Sequence, residues 1–233
     1  MTESSERLHT KVTKLDQILI SNILLDWWQT NRRQFPWRKR LPLWKGLLAE
    51  LMLQRTRASQ VRKSFNYVDK HFPTAESLNG ITKVQVDSIF APLGLKWRVP
   101  VFIELTREIV RRKGRLPKTE AKLQNLPGVG AYAASAALSL HGNMRAIIVD
   151  SNTVRIVSRL FGIEFGPETR RKGWVKDALE ALTPACGFRE FNYALLDLGA
   201  LVCTPRNPNC SVCPLAPECK TGQAATNDSY ASS

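Results

Sequence analysis

The sequence predicts an all-α protein, and three observations carry that prediction. Apolar residues recur at helical spacing, as in Leu15, Ile18, Leu19, Ile23, Leu24, Trp27 and Trp28. β-Branched runs such as Ile147-Ile148-Val149 are short, and no period-two alternation persists around them. No segment repeats at the period of a solenoid. Of 233 residues, 43% are hydrophobic and 23% charged. That globular balance gives ample material for a core, in one large domain or two lobes.

The first helix is predicted over 13–30 and is broken at Phe35-Pro36-Trp37-Arg38, because proline disfavours helical geometry in the residue before it. A second, over about 43–56, is apolar on most faces and is expected to be deeply buried. Further helices are predicted over 58–71, 83–90, 97–113, 119–125, 130–141, 151–161, 168–182 and 188–202. Residues 1–11 and the Ser-, Thr-, Ala- and Asn-containing tail over 222–233 are expected to be disordered. No run approaches the ~20 apolar residues that span a membrane. The polar start MTESSERLHTKVTKLDQ lacks the apolar core of a secretory signal. A cytosolic or nucleoid-associated protein without membrane contact is therefore expected.

Lys and Arg number 34 against 20 acidic residues, a formal charge of +14. Such a surplus suits an acidic polymer, since each neutralised phosphate releases condensed counterions, although a generally basic surface gives the same total.

Leu126-Pro127-Gly128-Val129-Gly130-Ala131-Tyr132 lies between a polar helix and the small-residue stretch Ala133-Ala134-Ser135-Ala136-Ala137-Leu138. Two glycines around an apolar residue allow a tight turn that presents backbone N–H groups at a helix start, where phosphate binds without side-chain charge. An ordinary interhelical turn reads the same way.

Two carboxylates stand out. Asp150 follows the apolar run Ala146-Ile147-Ile148-Val149 and precedes a helix start, so it is either an N-cap or a functional group. Glu50 is flanked by Leu47, Leu48, Leu51, Met52 and Leu53, so it is a buried acid or a polar-face residue.

Cys203, Cys210, Cys213 and Cys219 form a C-x6-C-x2-C-x5-C pattern. Without an export signal such crowding argues for a metal centre, either tetrahedral zinc or a [4Fe–4S] cluster, rather than disulfides. Cys186 stands apart and is expected to be a buried free thiol.

Together the strings LPGVGAYAASA, Val149-Asp150-Ser151-Asn152-Thr153-Val154-Arg155 and the cysteine spacing resemble the endonuclease III superfamily of helix-hairpin-helix DNA glycosylases, from about Leu24 to Cys219. The resemblance implies a two-lobed fold with DNA gripped in the cleft between lobes. A six-helix barrel over 35–144 would hold the hairpin, and 12–34 plus 145–221 would form the iron–sulfur domain. It implies a structural [4Fe–4S] cluster on the four cysteines. Gly128, Val129 and Gly130 would grip the DNA backbone, with Gln54 and Leu95 at wedge positions and Arg55 as a further contact. By charge alone Arg38, Arg55, Arg57, Lys96, Arg206 and Lys220 are candidate phosphate contacts, with a solvated face the default reading for such residues. Lys96-Trp97 departs from the family residues after the leucine.

Phe35-Pro36-Trp37-Arg38 and Ala49-Glu50-Leu51-Met52-Leu53-Gln54-Arg55-Thr56 resemble the branch of adenine and thymine mismatch glycosylases, in which Glu50 is the distinguishing acid. Asp150 would stabilise or capture the sugar cation while Glu50 protonates the departing base. Burial favours the protonated form of Glu50, and a helix N-terminus favours the ionised form of Asp150. Tyr132 occupies the place of the Schiff-base lysine of endonuclease III, so base excision with little or no strand cleavage is implied.

Asp150-Ser151-Asn152 and the Thr30–Arg38 string resemble the thymine/uracil enzymes, whereas Met52-Leu53-Gln54 and Asp197-Leu198-Gly199-Ala200 resemble the adenine enzymes. Thymine or uracil opposite guanine is the expected substrate, in double-stranded DNA bound by a monomer. The alternatives are adenine opposite guanine or 8-oxoguanine, and a non-catalytic DNA-binding iron–sulfur protein.

Overall fold

A computed structural model describes residues 13–231, with side chains through residue 225. Residues 1–12 and 232–233, including the predicted disordered N-terminus, lie outside the described residues. Eleven α-helices and no strand occur among the described residues, as the periodicity predicts. Two compact units divide the chain, Met1–Arg33 with Ile147–Ser233, and Gln34–Ala146.

The first unit holds α1 (Lys14–Asn31), α8 (Ser151–Phe161), α9 (Gly173–Leu182), α10 (Phe188–Leu201) and α11 (Lys220–Ala231). α1 starts at a Thr13 capping box: the Thr13 hydroxyl accepts the Asp16 N–H at 3.1 Å while Asp16 accepts the Thr13 N–H at 2.8 Å. It buries Ile20, Ser21 and Leu24, whereas Leu15, Ile18 and Leu19 face solvent. The apolar stripe read from the sequence is thus only half used. The core is built on Leu24, Val157, Val175, Leu179, Phe191 and Leu198.

α11 occupies most of the tail predicted to be disordered. Its first turn is tied down: Gln223 N–H donates to Cys219 O at 2.8 Å and the Thr221 hydroxyl to Arg159 O at 3.2 Å. Composition alone could not register those anchors.

The second unit holds α2 (Leu43–Leu53), α3 (Ala58–His71), α4 (Lys83–Phe90), α5 (Val99–Arg111), α6 (Glu120–Gln124) and α7 (Ala131–Leu140). α2 packs on α3 and α7, and the core gathers Leu47, Leu48, Met52, Phe65, Phe90 and Leu105. α2 ends three residues earlier than its apolar pattern suggests. Gln54 turns extended and Arg55 adopts φ +61°, a left-handed conformation unusual for a non-glycine residue.

Candidate active site

In the second unit, α2 and α7 bring Glu50 and Tyr132 together. Glu50 is 1% exposed, which settles its choice between buried acid and polar-face residue. The Tyr132 hydroxyl donates to Glu50 Oε2 at 3.2 Å, and His141 Nε2 lies 3.4 Å from Oε1. Nothing in the local sequence marks His141 beyond its place at the end of a small-residue helix.

The turn before α7 behaves as the two glycines suggest, with one correction. Gly128 has φ +71°, and a Cβ there would lie 2.5 Å from Val101 Cγ1, so glycine is needed twice over. Gly130, the N-cap of α7, has an ordinary φ of −87° and no side chain to cap the helix. Val129 does not offer its N–H outward. That group donates to Leu126 O at 3.2 Å, and the side chain is buried. Val129 therefore anchors the hairpin, and the first-turn N–H groups of α7 remain without a side-chain cap.

The wedge positions divide. Gln54 is half-buried at the end of α2, and Arg55 is exposed. Leu95 is 5% exposed and packed in the core without DNA, not presented at the surface as a wedge. Two residues on, Trp97 is 64% exposed, with the Arg98 guanidinium 4.7 Å from its ring centroid. Arg98 Nη1 donates to Leu51 O at 3.1 Å, while Nε is buried without a hydrogen-bond partner. Burial, then repulsion from Arg55, lowers the Arg98 pKa below the usual arginine value, so two cations share this locus. An apolar cavity of about 120 Å³ lies beside them, lined by Trp97, Val101, Phe102 and Gly128.

In the first unit, Asp150 is the N-cap that its sequence allowed. It is half-buried and caps α8: Oδ1 accepts the Asn152 and Thr153 N–H groups, both at 2.8 Å, and Oδ2 accepts Asn152 Nδ2 at 2.8 Å. Thr153 closes the box by accepting the Asp150 N–H at 2.9 Å. Asn152 is itself fixed, since its Oδ1 accepts Arg155 Nη2 at 2.9 Å. Buried Arg155 also donates to Gly199 O and to Cys203 O, each at 2.7 Å. Burial lowers its pKa, with Cys203 the first opposing charge. Gly199 makes this close approach possible, because a Cβ there would sit 2.7 Å from Asn152 Cβ. The carboxylate is thus linked through Asn152 and Arg155 to the first residue of the cysteine loop.

Cys203, Cys210, Cys213 and Cys219 line one small cavity, and none forms a disulfide. Arg159 clamps its edges: Nη1 donates to Thr204 O at 2.7 Å and contacts Cys203 Sγ at 3.3 Å, while its carbonyl accepts Cys219 Sγ–H at 3.3 Å. Burial first, then the neighbouring thiols, pushes Cys213 up to about 11 and raises Cys219 as well. Cys213 and Cys219, whose ionisation burial and the neighbouring thiols oppose, suit a cationic centre that accepts them as thiolates. No group of three or more His, Cys, Asp or Glu placed to hold a metal ion occurs among the described residues. Cys186 is exposed, against expectation, because the loop between α9 and α10 carries it outward.

Helix, glycine hairpin and helix beside a buried carboxyl define a class of base-excision proteins. The family model described as HhH-GPD superfamily base excision DNA repair protein matches residues 48–176, and the chain belongs to that superfamily. It is 31% identical over 208 residues to a thymine/uracil-DNA glycosylase of Methanothermobacter thermautotrophicus, covering 88% of this chain and 94% of that protein. An adenine DNA glycosylase of Buchnera aphidicola is 32% identical across 86% of this chain but only 59% of its own length. A solved thermostable thymine-DNA glycosylase superposes with a TM-score of 0.81 at 29% identity, covering 89% of this chain and 97% of its own.

Proposed function

We propose that this DNA N-glycosylase binds double-stranded DNA, extrudes a thymine or uracil opposite guanine and removes it by hydrolysis. The relatives that match over nearly their whole length support this substrate choice, together with Asp150-Ser151-Asn152. The base must leave the stack before its glycosidic bond can be reached. Glu50 gives its proton to the base as the C–N bond breaks and the electron pair leaves with the base. Asp150, acceptor of three N–H bonds at a helix N-terminus, stabilises or captures the cationic sugar until water adds. Tyr132 holds Glu50 Oε2. Its phenol offers no amine for a Schiff base, so AP lyase activity is absent or slight.

The uncapped start of α7 binds backbone phosphate, and Arg55 adds charge beside it in sequence-independent fashion. Cys203, Cys210, Cys213 and Cys219 hold a [4Fe–4S] cluster, whose contribution when bound is to fix the loop rather than to exchange electrons. The cavity shared by all four thiols supports that reading. Chelating iron from the native protein is expected to abolish its visible absorption and lower its melting temperature; zinc and no iron on elemental analysis would refute the cluster.

Single-turnover excision from T·G, U·G, A·G, A·8-oxoguanine and paired duplexes tests the substrate. Product from T·G and U·G is expected. Product from the adenine duplexes alone would make the protein an adenine glycosylase, the reading favoured by Met52-Leu53-Gln54. Abundant borohydride trapping of a covalent adduct would overturn the absence of lyase chemistry.

A further inference from the structure

The second contact of the buried acid has no part in the chemistry so far. His141 follows the last residue of α7, and its side chain is 0% exposed. Nε2 stands 3.4 Å from Glu50 Oε1, and Nδ1 is buried with no hydrogen-bond partner. Space for the ring is made on the facing helix: a Cβ on Gly46 would lie 2.2 Å from His141 Cγ and 2.5 Å from its Cβ and Cδ2. Gly46 and Glu50 are four residues apart and so share one face of α2. That face therefore carries both the cavity for the imidazole and the carboxyl it meets. Lys45, the other buried charge on α2, is turned instead to Asp69 at 2.9 Å and to Pro73 O.

The orphaned Nδ1 decides the tautomer. A buried N–H without an acceptor is tolerated less often than a bare lone pair. The proton therefore sits on Nε2, which donates to Oε1. A protonated carboxyl has one acceptor oxygen and one hydroxyl. A donor fixed on Oε1 makes Oε1 the acceptor and confines the transferable proton to Oε2, the oxygen that also accepts from Tyr132.

We propose that His141 is a positioning residue for the general acid: its Nε2–H, seated against Gly46, holds Oε1 of Glu50 so that the proton delivered to the base is carried on Oε2. This rests on the assignment of Glu50 as the acid, and the test separates the two. Excision is followed under single-turnover conditions on the duplex that the native protein cleaves fastest. H141L is expected to slow excision roughly tenfold or more while leaving duplex Kd unchanged. H141Q, whose amide N–H reaches toward the same oxygen, is expected to recover most of the rate. In an E50Q background H141L is expected to add no further loss, because the two act as a unit.

A native rate for H141L, or losses that multiply with those of E50Q, would overturn the role of His141. A native rate for E50Q alone would instead overturn Glu50 as the acid. If the leucine variant fails to fold, ¹⁵N NMR of the native protein gives the answer directly. The ring that shows an NOE to Gly46 is expected to carry its proton on Nε2, and a proton on Nδ1 would refute the proposal.

Discussion

Asp150 and Glu50 are held in opposite ways. Asp150 is half-buried, and three N–H donors at 2.8 Å leave little of its accepting capacity unused. Glu50 is almost wholly buried, with two longer contacts at 3.2 and 3.4 Å, one to each oxygen. The first arrangement suits a group that must stay negative beside a developing cation, because oriented donors at a helix N-terminus stabilise charge. The second suits a group that must carry a proton into an apolar interior and release it once. The chemistry of each carboxyl is written in its donors more than in its residue type.

The largest expected effect breaks the first half of that comparison. D150N is predicted to cut single-turnover excision by roughly 10³-fold or more. Asparagine keeps the Oδ1 cap but sets an NH2 group against Asn152 Nδ2 in place of the accepting Oδ2, so only a modest fall in melting temperature is expected. D150A should lose the same activity and also about 1 kcal/mol of stability. A large stability loss in D150N would mean that the residue is mainly structural.

E50Q tests the other half. The amide keeps the shape and a hydrogen-bonding capacity for Tyr132 but has no proton to give. Excision is predicted to fall by roughly 10²-fold, with Kd for the duplex unchanged. A fall in affinity without a fall in rate would sink the general-acid role.

The donor network around Asp150 reaches the cysteine loop, whereas Glu50 has no such support, and Arg155 measures the difference. R155M would strip the Cys203 carbonyl and the buried Gly199 carbonyl of their guanidinium donor. A loss on the order of 3 kcal/mol is expected, read as a lower melting temperature and a looser cysteine loop. A methionine variant as stable as the native protein would show that the network is dispensable.

How much of this was legible in the sequence follows the range of the interactions. Helix positions were readable because periodicity and caps are local; α3, α4 and α8 begin and end where the pattern puts them. The burial of Glu50 and the capping by Asp150 were readable because apolar neighbours in sequence and a helix start are local signals. His141 was not. It matters because Gly46, 95 positions earlier, leaves room for it, and no local pattern records such a pairing. The burial of Leu95 was not legible for the related reason that position in a motif says nothing of which way a side chain turns. Cys186 and α11 were misread because the loop that exposes one and the contacts that anchor the other are tertiary.

The last prediction concerns the turn at which Leu95 is buried and Trp97 is exposed. L95A should destabilise the protein by roughly 2–5 kcal/mol, since it removes core volume, and affect DNA binding only through folding. Trp97 is exposed and stacked beside Arg98, so W97A should leave the melting temperature unchanged. A base stacked on such a ring contributes ~1–3 kcal/mol, so duplex affinity should weaken by roughly tenfold, with most of it retained in W97F. Equal affinity in W97A and the native protein would remove Trp97 from the DNA surface and leave Gln54 as the remaining wedge candidate. The reverse pattern, affinity lost in L95A at full stability, would restore the leucine to the position its motif suggests.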